Sequence, residues 1–239
     1  MALLEVTNVS KSFGGVVAND EISMGVERGQ IVGLIGPNGS GKTTLFNVIT
    51  GYHRADSGVV RFRGKDILGR RPHQVNRAGI ARTFQKLRPF SHMTVLENVM
   101  IGALPRASDV AEAQERSVDY LGFVGLTHKM HALAGTLSTG QRKRLEVARA
   151  MATEPELLLL DEPAGGVDPE GVRGLIDLIE RMRKEGLTLL VIEHNMKVIM
   201  AISDQVVALH VGRKICEGAP SDVVRDAAVI EAYLGESHA

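Results

Sequence analysis

Residues 30–44 have the sequence QIVGLIGPNGSGKTT, in which an apolar run passes directly into a glycine-rich turn. The apolar part predicts a buried strand, and the part from Gly36 to Thr43 fits the spacing G-x-x-x-x-G-K-[ST] of a phosphate loop. Such a loop lies between a strand and the start of a helix, where inward-facing N–H groups and the helix dipole favour phosphate oxygens. The alternative is a chance glycine-rich turn, but the strand-then-helix context favours a nucleotide-binding loop.

The predicted nucleotide contacts are the residues of this loop and of the helix start that follows it: Gly36, Pro37, Asn38, Gly39, Ser40, Gly41, Lys42, Thr43 and Thr44. The ammonium of Lys42 supplies a charge for the β- and γ-phosphates, and the hydroxyl of Thr43 is a ligand for Mg²⁺. The expected ligands are therefore ATP and Mg²⁺.

The rest of the chain predicts an α/β fold with two additions. Strands are expected at 3–9, 22–26, 30–35, 59–63, 156–160 and 187–192, a hairpin at 205–209 and 213–217, and helices at 142–151, 169–183 and from Ser221 onward. The strands between amphipathic helices are continuously apolar, which predicts a mostly parallel sheet covered on both faces. We expect a P-loop, RecA-like core with an N-terminal antiparallel β subdomain and an inserted helical lobe. The division is one domain over residues 1–239, with the core at 1–88 and 146–239 and the lobe at 89–145.

Composition limits the classes of function. Lysine and arginine number 28, and aspartate and glutamate also number 28, so the formal net charge is zero and a nucleic-acid partner is not expected. The single cysteine, Cys216, allows no internal disulfide and favours a reducing compartment. No apolar run approaches the roughly 20 residues needed to cross a bilayer, and the N-terminal residues lack the pattern of a signal peptide.

Two carboxylates follow the buried run of four leucines at 157–160. Asp161 and Glu162 would therefore emerge at the carboxyl end of a strand, where ligands bind in open α/β sheets. Asp161 is suited to support Mg²⁺, and Glu162 to orient or deprotonate an attacking water. His194 ends the next apolar strand and could contact the γ-phosphate. The alternative for the acidic pair is a solvated turn.

The segment Leu137-Ser138-Thr139-Gly140-Gln141 precedes a predicted helix. Ser138 and Gln141 have the S-x-x-Q spacing of a capping box, so the segment could simply start that helix. A capped helix start that contains serine and glycine is also suited to bind an anion.

The order of GPNGSGKTT, Gln85, LSTGQRKRLEVARAM, LLLLDEP, GVD at 166–168 and His194 resembles the ABC-transporter ATPase family, and the likeness covers essentially the whole chain. The resemblance implies that Gln85 reaches Mg²⁺ and the attacking water. It implies that Ser138, Gly140 and Gln141, with Thr139, bind ATP held by a second subunit.

The same resemblance implies two further roles. Phe13 would stack on adenine, although it stands where the family more often has tyrosine, and Asp168 would lie on a loop that crosses the dimer interface. Thr139 is a second departure, because it stands where a glycine is common.

Three stretches, ARTFQ at 81–85, MTVLENV at 93–99 and VIEAYLG at 229–235, resemble the ATP-binding subunits of branched-chain amino-acid importers. This implies a second ATPase subunit, transmembrane permease subunits and, indirectly, a substrate-binding protein as partners. It also implies a peripheral location on the cytoplasmic face of the inner (plasma) membrane. The loop at 85–90 is expected to receive a permease helix; the alternative is an ordinary surface loop with Phe90 buried.

Two other classes remain as alternatives. One is a soluble ABC protein that acts on DNA, ribosomes or iron–sulfur assembly, or a transporter ATPase for another substrate. The other is a P-loop kinase or small GTPase, in which the LSTGQ segment would have no function.

Overall fold

The strands of the computed structural model, which describes residues 2–85 and 89–234, form two sheets. The strands are β1 Leu4–Phe13, β2 Val16–Val26, β3 Ile31–Ile35, β4 Ser57–Phe62, β5 Lys65–Asp66, β6 Ile80–Arg82, β7 Leu157–Asp161, β8 Thr188–Ile192, β9 Gln205–His210 and β10 Arg213–Gly218. The helices are α1 Lys42–Ile49, α2 Pro72–Ala78, α3 Val95–Ala103, α4 Val110–Phe123, α5 Thr139–Met151, α6 Pro169–Lys184, α7 Met196–Ile202, α8 Pro220–Val223 and α9 Ala227–Leu234.

The larger sheet has the order β10-β9-β3-β8-β7-β6. Neighbours from β9 to β6 are parallel, and β10 is an antiparallel edge strand. Every residue of β3, β7 and β8 is buried, because helices cover one face while α1 and the smaller sheet cover the other. The predicted parallel core is confirmed, and it brings the carboxyl ends of β3, β8 and β7 to one edge in that order.

The smaller sheet is antiparallel, with the order β2-β1-β4-β5. β1 and β2 are longer than predicted, since they continue as a hairpin to a turn at Gly14 and Gly15. Most of the added residues are polar, and their apolar residues do not alternate, so no periodic pattern revealed them. The extension places Phe13 at the tip of this ribbon.

The helical lobe consists of α3, α4 and α5 with two short 3₁₀ turns, at Thr127–Lys129 and Ala134–Thr136. α3 packs on both α4 and α5 around an apolar cluster that continues to α6 and one face of the larger sheet. A second cluster fills the space between the other face, α1 and the smaller sheet. The proposed boundary at 145/146 falls inside α5, and the division into core and lobe stays a prediction.

The prediction of one C-terminal helix that begins at Ser221 is wrong. Two helices are present instead: α8, with Pro220 in its first turn, and α9, which follows a break at 224–226. Ser221 lies inside α8 and does not cap it. Asp226 provides the second start, because its Oδ1 accepts from the N–H groups of Ala228 and Val229 at 2.9 and 3.2 Å.

Four short elements, β5, α2, β6 and α7, have no counterpart in the sequence predictions. β6 is three residues long and pairs with β7, so its position is fixed by the sheet and not by a periodic pattern of its own. None of the helices in the described part of the chain combines the length and apolarity that a bilayer crossing requires.

Candidate active site

The glycine-rich loop after β3 curves back toward the start of α1. Gly36 and Gly41 have φ angles of 148° and 100°. A Cβ atom on Gly36 would lie 2.1 Å from the carbonyl oxygen of Leu209, and one on Gly41 would lie 2.2 Å from that of Ala18. Both positions therefore require glycine, for backbone conformation and for space. Gly41 is the N-cap of α1 and no side chain caps this helix, so its first N–H groups face the loop.

The side chain of Lys42 lies inside this loop and is almost fully buried. Its Nζ donates to the carbonyl oxygens of Gly36 and Pro37, both at 2.7 Å, and to Ser40 Oγ at 3.3 Å. The loop carbonyls thus hold the ammonium at the centre of the curve. Residues 38–44 line a cleft of about 360 Å³, together with Ala18, Gln85, Glu162 and His194.

The three side chains predicted to be catalytic meet in space. Gln85 Nε2 donates to Glu162 Oε2 at 2.9 Å, and His194 Nε2 lies 3.0 Å from Glu162 Oε1. They come from the loop after β6 and from the ends of β7 and β8, and all three line the same cleft as the phosphate loop. Glu162 has a φ of 50°, uncommon for a residue with a Cβ, which marks a sharp turn immediately after the strand.

Asp161 is the last residue of β7 and is buried. Its Oδ2 accepts from Arg82 at 2.9 Å, whereas its Oδ1 is buried without a hydrogen-bond partner. Burial raises the pKa of Asp161, and the nearby Arg82 guanidinium opposes that rise.

The predicted capping box at the start of α5 is present. Ser138 Oγ accepts from Gln141 N–H at 3.3 Å, and Gln141 Oε1 accepts from Ser138 N–H at 3.0 Å. Ser138, Thr139, Gly140 and Gln141 line a second cavity of about 320 Å³, beside Asp168 at the start of α6. None of these four residues lines the phosphate cleft, although the two cavities are neighbours: Asp161 lines the second cavity and Glu162 lines the first.

Phe13 is not among the residues that line the phosphate cleft. Its ring is 42% exposed, and it meets the ring of His53 edge-on at 5.1 Å between centroids. Lys11 Nζ lies 5.2 Å from the same ring.

Sequence reasoning missed the role of Arg82. Its guanidinium lies against three aromatic rings, those of Phe46, Tyr52 and Phe84, at 4.8–5.7 Å. The signal in the sequence was a lone arginine within the apolar run at 79–84, and no local spacing connects it to Asp161.

Two further residues that support Glu162 were also missed. Lys143 Nζ donates to the main-chain oxygen of Glu162 at 2.6 Å, and burial lowers the pKa of Lys143. Glu193 is buried and accepts from the N–H groups of Ala164 and His194 at 2.5 and 3.1 Å. Burial raises the pKa of Glu193, while these N–H donors oppose the rise. These contacts fix the backbone that carries both Glu162 and His194.

Comparison with known proteins agrees with this geometry. Residues 19–165 match the family described as ABC transporter, and residues 213–239 match the family described as branched-chain amino acid ATP-binding cassette transporter. The high-affinity branched-chain amino acid transport ATP-binding protein BraF of Pseudomonas aeruginosa is 40% identical over 253 residues, with 98% of each chain covered. The corresponding protein LivG of Escherichia coli K12 is 38% identical over 251 residues, also with 98% of each chain covered.

Solved structures show the same likeness. The crystal structure of the ADP conformation of an ATP-binding cassette of an ABC transporter has a TM-score of 0.90 and 36% sequence identity, and covers 98% of this chain and 99% of that chain. A nucleotide-free ATP-binding cassette has a TM-score of 0.89 at the same identity and coverage. With its full-length relatives and its shared fold, this chain belongs to the ABC transporter family, as an ATP-binding, ATP-hydrolysing subunit of the branched-chain amino acid type.

Proposed function

We propose that this chain hydrolyses ATP to drive the import of branched-chain amino acids. The convergence of Gln85 and His194 on Glu162, at the edge of the cleft that contains the phosphate loop, carries the hydrolytic part of the proposal. The cargo class is supported by the match at 213–239 and by the names of the two relatives.

Glu162 is assigned the role of general base. Its carboxylate would take a proton from a water whose oxygen attacks the γ-phosphorus, while the bond from that phosphorus to the β-phosphate oxygen breaks and ADP and inorganic phosphate form. Gln85 and His194 each contact one carboxylate oxygen, and therefore orient the group. His194 also lines the cleft and would contact the γ-phosphate.

The phosphate loop is assigned the role of binding the β- and γ-phosphates of ATP. Lys42 lies within the curve of the loop, where its ammonium donates to the carbonyl oxygens of Gly36 and Pro37, so the loop positions its charge. The exposed ring of Phe13 supports its assignment to adenine stacking.

Mg²⁺ is assigned to Thr43, Gln85 and Asp161. The unpartnered, buried Oδ1 of Asp161 fits this assignment, since a buried acceptor without a donor is unfavourable unless a cation or water faces it. The described residues contain no group of three acidic, histidine or cysteine side chains that could hold a metal alone. Phosphate oxygens and water would supply the other ligands, as Mg²⁺ prefers, and the bound ion would offset charge on the phosphates.

A second ATPase subunit is assigned to the opposite side of the nucleotide. Ser138, Gly140 and Gln141 form a capped helix start suited to an anion, yet they line a cavity separate from the phosphate cleft of their own chain. Two subunits related by a two-fold axis would place each such helix start on the partner's ATP.

The surface around Phe90 is assigned to the binding of permease subunits. This binding would hold the chain at the cytoplasmic face of the membrane. Phe90 is 47% exposed, which contradicts the alternative of a surface loop with Phe90 buried. Its backbone is fixed by Asn98, which accepts from Phe90 N–H at 2.9 Å and donates to its oxygen at 3.1 Å. Residues 86–88 of the predicted docking loop lie outside the described residues.

The proposal is tested by uptake in cells from which the gene has been deleted. Deletion should lower the uptake of radiolabelled leucine, isoleucine and valine but not of lysine, and the wild-type gene should restore it. A gene with Glu162→Gln should not restore uptake, since import requires hydrolysis. Unchanged branched-chain uptake after deletion would contradict the assigned cargo.

Docking is tested in the same cells with Phe90→Ser. This variant should fail to restore uptake although the purified protein keeps its basal hydrolysis. The matched control is Val211→Ser, which also removes an exposed apolar side chain, but from the turn between β9 and β10. Full uptake with Phe90→Ser would remove Phe90 from the docking surface.

A further inference from the structure

The C-terminal helix α9 makes a direct contact with the phosphate loop. The hydroxyl of Tyr233, in the last turn of α9, accepts a hydrogen bond from the N–H group of Gly36 at 2.9 Å. The two residues are 197 positions apart in the sequence. The stretch 229–235 indicated only a likeness to a subfamily, and the structure gives one of its residues a specific partner; Gly235 lies outside the described residues.

Gly36 is the residue at which β3 becomes the loop. Its φ of 148° turns the chain out of the sheet, and the oxygen of Leu209 leaves no room for a side chain. Its N–H group faces Tyr233, while its carbonyl oxygen accepts from Lys42 Nζ at 2.7 Å. A single residue therefore connects the C-terminal helix to the ammonium that is assigned to phosphate binding.

Tyr233 is held in place by its own packing. A separate apolar cluster forms where α7, α8 and α9 cover the end of β3 and the strands beside it, and Tyr233 packs against that cluster. The buried members of the cluster are Ile35, Ile199, Val206, Ala208, Val223 and Val229. Because Ile35 precedes Gly36 directly, the cluster fixes both the ring of Tyr233 and the strand end that it faces.

We propose that Tyr233 is a positioning residue for nucleotide binding. Its hydroxyl satisfies the N–H group of Gly36 and so stabilises the loop conformation that presents Lys42 to the phosphates. The inference rests on the assignment of residues 36–44 as the nucleotide site. It gives the C-terminal segment, where the branched-chain family match lies, a function in ATP binding within the same chain.

The test is Tyr233→Phe, which keeps the ring and removes the hydroxyl. A typical hydrogen bond contributes enough that its loss should raise the Kd for fluorescent ADP by about threefold to tenfold. The KM for ATP should rise by the same factor, with kcat at saturating ATP within about twofold, because the lost interaction acts on binding. Tyr120→Phe is the matched control, since it removes a tyrosine hydroxyl from α4 in the helical lobe.

A purely structural role would alter only the melting temperature, so nucleotide affinity is measured well below that temperature. Amide hydrogen exchange provides a second measurement, independent of nucleotide. Protection of the Gly36 amide should fall in Tyr233→Phe and remain unchanged in Tyr120→Phe. Unchanged ADP affinity in Tyr233→Phe, or unchanged protection of Gly36, would overturn the inference. If the wild-type protein itself bound no nucleotide, the assigned site would fail instead.

Discussion

Replacing Arg82 with leucine would remove the cation that hydrogen-bonds to Asp161 inside the protein. The two side chains form an ion pair at 2.9 Å and are only 6% and 1% exposed. The guanidinium also donates to Asn47 Oδ1 at 2.7 Å, so the substitution removes several contacts at once. Leucine fills part of the space but leaves Asp161 as a buried carboxylate without this partner.

The expected loss of stability follows from that burial. Removing one member of a buried ion pair costs about 3–5 kcal/mol, because the remaining charge is left in a medium of low polarity. For a chain of this length each kcal/mol lowers the melting temperature by about 2–4 °C, so a fall on the order of 10 °C is expected. The matched control is Arg213→Leu, whose ion pair with Asp20 at 2.6 Å is largely exposed and should contribute at most about 1 kcal/mol.

The deficit should depend on pH. Burial raises the pKa of Asp161 in the folded state, and loss of the opposing Arg82 charge would raise it further. A carboxyl whose folded pKa lies above its unfolded value stabilises the fold at low pH, and this contribution is lost as the pH rises through the folded pKa. The deficit of Arg82→Leu should therefore be smallest near the ordinary carboxyl range and largest at neutral pH.

The assay is urea unfolding followed by circular dichroism between pH 4.5 and 8, with EDTA present so that no metal binds Asp161. The double variant Arg82→Leu/Asp161→Asn should recover most of the lost stability at neutral pH, because its amide carries no charge. A loss below about 1 kcal/mol, or a loss that does not change with pH, would refute the argument that the ion pair supports a charged Asp161.

Three further predictions concern the proposed reaction. Lys42→Ala should weaken ATP binding by at least about tenfold in a fluorescent-nucleotide titration, because it removes the ammonium held within the phosphate loop; wild-type affinity would exclude its assigned role. Glu162→Gln should bind ATP normally but release phosphate about 10²–10⁴-fold more slowly, and should accumulate as an ATP-bound dimer in gel filtration. Near-normal turnover would move the general base away from Glu162. Mixing inactive Lys42→Ala and Ser138→Arg chains should restore part of the activity, because each mixed dimer contains one composite site without either change. A mixture that dimerises yet stays inactive would contradict the placement of Ser138 on the partner's ATP.

Features that depend on near neighbours along the chain can be predicted from the amino-acid sequence. The phosphate loop requires glycines at fixed spacing between a strand and a helix, and both the motif and its context lie within residues 30–49. The capping box of Ser138 and Gln141 spans four residues, and the exit of Asp161 and Glu162 follows from four preceding leucines. Local propensity and hydrogen bonding decide such features, so a pattern can predict them.

The contacts between residues far apart in the sequence depend on how the whole chain packs. Arg82 lies 79 positions from Asp161, Gln85 lies 77 from Glu162, and Tyr233 lies 197 from Gly36. These pairs depend on the strand order β9-β3-β8-β7-β6, which local periodicity does not encode, because an apolar run fits equally well at any interior position of a parallel sheet. Family resemblance supplied the role of Gln85, but the partners of Arg82 and Tyr233 became visible only when packing of the sheet and of the C-terminal helices fixed their side chains. The wrong C-terminal helix has two causes. The cap by Asp226 is a local signal within 226–229 that sequence reasoning overlooked, whereas the packing of α8 against β9 and β10, and of α9 against β10, is tertiary.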